Sequence, residues 1–494
     1  MDNLGLLYLI FTAAAIFGKK TAIFGIQGLV TFRTFETCET KKDEKMKKIT
    51  LLLSVLFCTM VSLTACGSPS SSSDSPLEYP DDNGNTSGGE IVGVNGTVTA
   101  QAIINGSKWE PKVKDPWFVK AEQDIEKNRR TDVTVTVLDA NGQPIPDAQV
   151  TVAMKRHDYN FGGALAPEDL RDYPVRKQEV LDLFNMITFG NAMKWRNDEA
   201  SMPYTVPVLD WLVANGIRVR GHNLIWGAWT NMPDGFQAKY ANDPAGLKAA
   251  MDDRIETKVP FWGDRIYEWD VFNEASGSHD AMDLCGWEII PEYLRRVHEL
   301  EPGIKLYLNE YGLLWGTQEN HWQWVENLVA DYKSQGVPLN GIGIQLYPKA
   351  LLNMPSIVAQ FDRFAKMGVE LKITEYGYQQ APADMSDDVK GRNYFNVMHA
   401  AFANQANTGV IWWGAIGGII KQNNTLTPMG EILAYLAYHK WWTNVKGKTT
   451  NDGTFKTRGY YGKYEITATV NGKTRTVPID LLPGGSMNFE IKMN

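Results

Sequence analysis

A chain of 494 residues is longer than one ordinary domain, so one large domain of ~250–300 residues with smaller modules is the natural expectation. With 44% hydrophobic and 21% charged residues it has the composition of a soluble globular protein, and its formal net charge of -8 argues against nucleic acid or an anionic membrane surface as a partner, since neither rewards an acidic face. Its four cysteines (Cys38, Cys58, Cys66 and Cys285) leave the body of the chain with one thiol and no disulfide framework, and its seven histidines show no metal-ligand spacing, so no cofactor is expected.

Residues 1–45 hold a short apolar run, Leu4 to Phe17, followed by Lys, Glu, Asp and Thr. The run is short for a membrane span, and the segment is expected to be an over-extended reading frame. From Met46 a basic start, an apolar stretch and a small-residue end read as a secretory signal over 46–65. Its ending, Leu63-Thr64-Ala65-Cys66-Gly67, resembles the lipobox of bacterial lipoproteins. That resemblance implies an acylated Cys66, a protein tethered to the bacterial outer membrane on its surface or periplasmic face, and no other membrane contact. Residues 66–96 are Ser, Pro, Gly, Asp and Asn with almost no apolar content, the composition of a disordered linker.

The segment 97–157 opens with a charged helical pattern from Trp117 to Arg130. Two alternating stretches follow, from Asp132 and from Ala148, and the Asn141-Gly142 pair between them predicts a β-hairpin. The C-terminal segment 444–494 repeats the style around Asn471-Gly472, and both ends of the chain are expected to form one small β module. Between them, over 158–443, eight strand-like stretches alternate with helical ones: Asn160–Leu165, Met186–Asn191, Arg218–Trp226, Arg265–Glu274, Lys305–Glu310, Gly341–Tyr347, Glu370–Glu375 and Val410–Gly414. This alternation predicts an α/β fold, a (β/α)₈ TIM barrel. A doubly wound sheet is the alternative, but no Gly-rich phosphate loop follows any strand.

Active-site residues of such barrels sit at the C-terminal strand ends. Here those ends carry Asn191 and Lys194, His222 and Trp226, Asn273 and Glu274, Asn309 and Glu310, Gln345 and Tyr347, Glu375, and Trp413. A helix cap accounts for Glu310 alone, but not for so many polar ends at one mouth. Paired Glu274 and Glu375 suit glycoside hydrolysis, in which one carboxylic acid protonates the leaving oxygen and an ionised carboxylate ~5 Å away attacks the anomeric carbon. Lys194 and His222 suit hydroxyl binding, and Trp413 suits the face of a sugar ring. Most of the 16 tryptophans pack the core, but a surplus also fits stacking on sugars.

These residues resemble glycoside hydrolase family 10, mostly endo-β-1,4-xylanases. Trp269-Asp270-Val271-Phe272-Asn273-Glu274 is similar to its acid/base motif, and Ile373-Thr374-Glu375 to its nucleophile motif. Asn191-Ala192-Met193-Lys194-Trp195, Gly221-His222 with Trp226, Gln345 and Trp413-Gly414 match its sugar-binding stretches. The resemblance implies a monomeric retaining xylanase acting on xylan. It further implies that Asn273 holds the sugar 2-hydroxyl, His222 and Lys194 hold the 3-hydroxyl side, and Gln345 supports the nucleophile region. The chain departs from the family at Gly190 (usually Glu), Gly227 (usually His), Trp229 (usually Gln), Tyr347 (usually His) and after Trp413-Gly414, where an Asp is missing. The subsite on the non-reducing side of the cleavage point is therefore expected to be remodelled, which predicts an altered preference: a decorated xylan, or weaker use of short unbranched oligomers. Two other readings stand beside this one: a retaining glycosidase on another β-glycan, and a non-catalytic glycan-binding surface lipoprotein.

Overall fold

The computed structural model describes residues 25–26, 29–30, 93–316 and 318–493. The expected signal, Cys66 and nearly all of the expected linker lie outside the described residues, as does most of 1–45, whose described part is a two-residue antiparallel ladder, Gly25–Ile26 with Leu29–Val30. The chain divides into two compact units, 1–88 and 89–494.

The second unit is built on a closed barrel of eight parallel strands: Asn160–Leu165, Met186–Phe189, Arg218–Ile225, Glu268–Asn273, Lys305–Glu310, Gly341–Leu346, Glu370–Tyr376 and Asn407–Trp412. They neighbour one another in chain order, and the last closes on the first through Gly409↔Asn160 and Trp412↔Gly163. All eight expected strands are present, with ends displaced by at most three residues. They read as short apolar runs because both faces are covered: the first, fourth and sixth strands are buried at every position. Helices follow on the outside. Glu319–Ser334 carries Trp322, Val325, Val329 and Tyr332 inward, and Met354–Ala365 does the same with Ile357, Phe361 and Phe364, the spacing that the sequence shows.

The two chain ends meet as expected, but not by the expected hairpin. Arg130–Leu138 and Gln149–His157 do not pair with each other. The first lies between Thr454–Tyr460 and Asn488–Lys492 in a three-stranded sheet; the second lies between Asn444–Lys448 and Gly462–Val470 in a four-stranded one that ends in Lys473–Leu481. The Asn141-Gly142 turn does form: the Asp139 side chain accepts from the Asn141 and Gln143 amides, and the Ile145 amide donates back to Val137. The returning segment then meets Pro144 and Pro146, which have no N–H to extend a ladder, and the chain crosses to the other sheet. The C-terminal hairpin around Asn471-Gly472 forms with both turn residues at positive φ, pairing Val470 with Lys473. Val133, Val135 and Val137 from one sheet and Val150, Val152 and Ile466 from the other join one continuous core with the barrel. The helix Pro116–Arg129 is tied to the barrel's outer layer by Arg129, which donates to the backbone oxygens of Phe402 at 2.6 Å and Asn407 at 2.6 Å.

Candidate active site

The barrel brings the expected residues to one mouth. The decisive geometry involves Gln345, whose backbone is the register partner of Glu375 on the neighbouring strand. Its side-chain amide nevertheless reaches Glu274, donating from Nε2 to Oε1 at 2.7 Å. Gln345 thus stands beside Glu375 in register and, in addition, contacts Glu274 by its side chain. A second bridge runs beneath. Asn309 donates from Nδ2 to Glu375 Oε1 at 2.9 Å and to Asn273 Oδ1 at 2.8 Å, while its own Oδ1 accepts from Thr374 at 2.5 Å. With every polar atom engaged, the Asn309 amide cannot turn over.

The two glutamates are held differently. Glu375 is buried, with one oxygen on Asn309 and the other accepting the Tyr347 hydroxyl at 2.6 Å. Burial raises its pKa above the ordinary carboxylate value; charge on His222 and the Tyr347 hydrogen bond pull it back, and the Glu274 charge adds to the rise. Glu274 is half-buried, and among the described residues no group donates to its second oxygen. Its φ of 56° lies in the left-handed region, a strained conformation for a non-glycine residue that costs ~1–3 kcal/mol. The surrounding hydrogen bonds hold it there: the Glu274 amide donates to Asn309 O at 2.7 Å, and its carbonyl accepts from Gly277 and Ser278. Glu310 is no helix cap. Its carboxylate accepts from the Ser276 amide at 3.0 Å and hydroxyl at 2.6 Å, clamping the turn that carries Glu274.

Below the mouth lies a buried charge network that sequence reasoning missed. Arg220 pairs with Glu268 and Asp270, Lys372 Nζ lies 2.5 Å from Glu268 Oε2, and His222 Nδ1 meets Asp270 at 2.9 Å. Two cations and two carboxylates balance, leaving the His222 ring oriented by a carboxylate with its Nε2 free of that bond. Burial opposes the Glu268 charge, but Lys372 and Arg220 outweigh it and hold the carboxyl down at about 2. Burial also lowers Lys372, to about 8. The available signal was the alternation of charge within strands that are otherwise apolar: Arg220 with His222, Glu268 with Asp270, and Lys372 with Thr374 each share one inward face.

The remaining expected residues form the rim. Lys194 Nζ donates to Asn191 Oδ1 at 2.9 Å and stands 4.8 Å from the Trp226 ring centre and 5.8 Å from that of Trp413. Burial lowers the Lys194 pKa, with Glu375 and Glu274 opposing, so this cation faces both carboxyl groups. The Trp413 ring lies edge-on to His222 at 5.1 Å. Trp226 donates from Nε1 to Ser278 Oγ at 3.0 Å. Two departures from the family pattern have a structural reason. A Cβ on Gly227 would stand 2.6 Å from the Ser278 carbonyl oxygen, because the loop after Glu274 packs directly onto this position and its Ala281 amide donates to Gly227 O. Trp229 is anchored by the same loop, its amide donating to Asp280 at 2.9 Å, and its ring packs partly buried on the core. No group of His, Cys, Asp and Glu among the described residues is arranged to hold a metal.

The model of glycosyl hydrolase family 10 matches residues 150–418, more than half of the chain. The anti-sigma-I factor RsgI6 of Acetivibrio thermocellus is 27% identical over 398 residues, covering 78% of this chain and 49% of that protein. A β-1,4-xylanase of Dictyoglomus thermophilum is 31% identical over 253 residues, 48% of this chain and 68% of that one. The chain thus spans about half the length of the first relative and about two thirds of the second. Among solved structures, xylanase 10B of Thermotoga petrophila RKU-1 in complex with xylobiose superposes with a TM-score of 0.49 at 24% identity, over 56% of this chain and 94% of that one. By the extent of the family match, the chain belongs to glycosyl hydrolase family 10.

Proposed function

We propose that this protein is a retaining glycoside hydrolase that cleaves β-1,4-xylosidic bonds in xylan, with Glu375 as nucleophile and Glu274 as acid/base. The observation that carries the reading is the link through Gln345, which stands beside Glu375 in register and holds Glu274 by its side-chain amide, so that both glutamates serve one mouth. Glu375, with both oxygens held, is aimed as a nucleophile must be. It attacks the anomeric carbon as Glu274 gives its proton to the departing glycosidic oxygen. Glu274, now ionised, then takes a proton from water, which attacks the glycosyl–Glu375 ester, releases the sugar with retained configuration and returns Glu375 as carboxylate.

The neighbours have roles consistent with this chemistry. Asn309 occupies Asn273 Oδ1, so the Asn273 amide presents its N–H group to a substrate hydroxyl. Lys194 and the oriented His222 bind hydroxyls on the sugar at the cleavage point, and Trp413 stacks on its ring. The xylanase names among the relatives support xylan as the substrate class. The lipobox-like Leu63-Thr64-Ala65-Cys66 supports display from the outer membrane through a lipid on Cys66. Product analysis of xylan digests tests the reading: the purified protein releases short xylo-oligomers and Glu375→Ala releases none. Untouched xylan beside a cleaved alternative β-glycan overturns the substrate; no cleavage of any glycan points to a binding protein.

A further inference from the structure

The helix Pro244–Trp262, which lies between the third and fourth strands in the chain, buries Leu247, Met251, Ile255 and Val259. Arg254 shares that buried face, a charge in a slot where helical spacing calls for an apolar residue. A guanidinium tolerates such a place only when its donors are used. Four of its five N–H groups are engaged: Nη1 donates to Asp198 Oδ2 at 2.6 Å, Nε to Leu224 O at 2.6 Å, and Nη2 to Met193 O at 2.9 Å and to Asn223 O at 3.1 Å. The Trp195 ring covers it, with its centre 5.4 Å from the guanidinium carbon.

One of these bonds answers the charge, and three go to backbone carbonyls at the barrel mouth. Met193 immediately precedes Lys194, and Asn223 immediately follows His222. The ladder between the second and third strands ends at Thr188↔Arg220, short of both hydroxyl-binding residues. Beyond that point Arg254 ties the two strand ends together. Asp270 orients the His222 ring, but that bond does not set the distance from His222 to Lys194. We infer that Arg254 is a positioning residue, which fixes the spacing of Lys194 from His222 so that both reach the 3-hydroxyl side of the sugar at the cleavage point. The inference rests on the xylanase reading above and adds a residue that touches no substrate. An ion pair that served stability alone would need only Asp198, whereas gripping three carbonyls as well needs the fork of an arginine.

The test compares kcat/KM of the wild type and Arg254→Lys on three aryl β-xylobiosides: the parent, and analogues lacking the 2- or the 3-hydroxyl of the sugar at the cleavage point. Lysine keeps a cation for Asp198 but is too compact to span the three carbonyls. Arg254→Lys lowers kcat/KM about thirtyfold on the parent and on the 2-deoxy analogue, and about threefold or less on the 3-deoxy analogue, which has no 3-hydroxyl contact left to lose. The double variant Arg254→Met/Asp198→Asn removes both charges of the pair, so that no unpaired ion stays in the core, and it shows the same selective loss. An equal fall on all three substrates makes Arg254 merely structural and overturns the inference, as does no fall at all. If neither variant folds, Arg254 serves the fold, and the inference is again overturned. In each of these cases the wild type still cleaves the parent xylobioside, and the xylanase reading stands. If the wild type cleaves none of the three, the xylanase reading fails and the inference fails with it.

Discussion

The floor of the site and its rim are built on opposite principles. On the floor, strands three to seven supply side chains whose polar atoms are nearly all engaged by one another: Asn309 with Asn273, Thr374 and Glu375, and Glu268 with Arg220 and Lys372. At the rim, strands one to three and eight supply half-exposed rings and a lysine around open volume. Placing the reacting carboxyl groups tolerates little slack, and hydrogen bonds aimed beforehand contribute most in a water-poor site. Recognition at the rim depends on which space is left empty. The departures from the family pattern at Gly190, Gly227 and Trp229 fall at the rim, among residues that keep it, and Tyr347 is the departure on the floor.

The largest expected effect is on the floor. Glu375→Ala lowers kcat by more than ~10³-fold in steady-state assays on xylan while the protein stays folded. Next comes the charge network: Glu268→Ala leaves Lys372 without a carboxylate and Arg220 with Asp270 alone, and costs ~3–5 kcal/mol in denaturant unfolding. The pH dependence has a definite sign. The Glu268 carboxyl is depressed in the folded state, so its stabilisation is present above its ordinary value near 4.5 and is lost as pH falls from there toward about 2; Glu268→Gln removes that acid sensitivity.

Tyr347→Phe takes one donor from Glu375 and lowers kcat about tenfold, as the loss of a ~1.5 kcal/mol hydrogen bond to a charged group implies. Because Glu375 must be ionised to attack, activity falls as pH drops through its raised pKa, and removing the Tyr347 donor moves that acid limb to higher pH. A limb that stays in place would assign Tyr347 to substrate and not to the nucleophile. The smallest effect belongs to the rim. Gly227→His installs the residue common in the family, yet it lowers kcat/KM severalfold, because the side chain must displace the Ser278 carbonyl and with it the loop that follows Glu274. A gain in activity would show that the loop yields freely.

The barrel was legible because its strands pair with their sequence neighbours and are buried on both faces, so each one reads as a short apolar run. The β module was legible only in part. Alternation identified Arg130–Leu138 and Gln149–His157 as strands, but a turn signal is local and partner choice is not, and Pro144 and Pro146 carried more information than Asn141-Gly142. At the site, Glu274, Glu375, Lys194, His222 and Trp413 were found from strand ends and motif likeness. Asn309 was seen at a strand end without a role, since its use depends on Thr374 and Asn273 from neighbouring strands. The contact of Gln345 with Glu274 was not legible, because register places it beside Glu375 while its length carries it to Glu274.

The central claim is that Glu375 forms a covalent bond to the sugar, and a slow-turnover 2-deoxy-2-fluoro xylobioside with a good leaving group tests it directly. Intact-protein mass spectrometry, followed by peptide mapping, is expected to show one fluoroglycosyl adduct per chain, on the peptide that contains Glu375. An adduct on Glu274, or hydrolysis to product of inverted configuration with no adduct, would contradict the account.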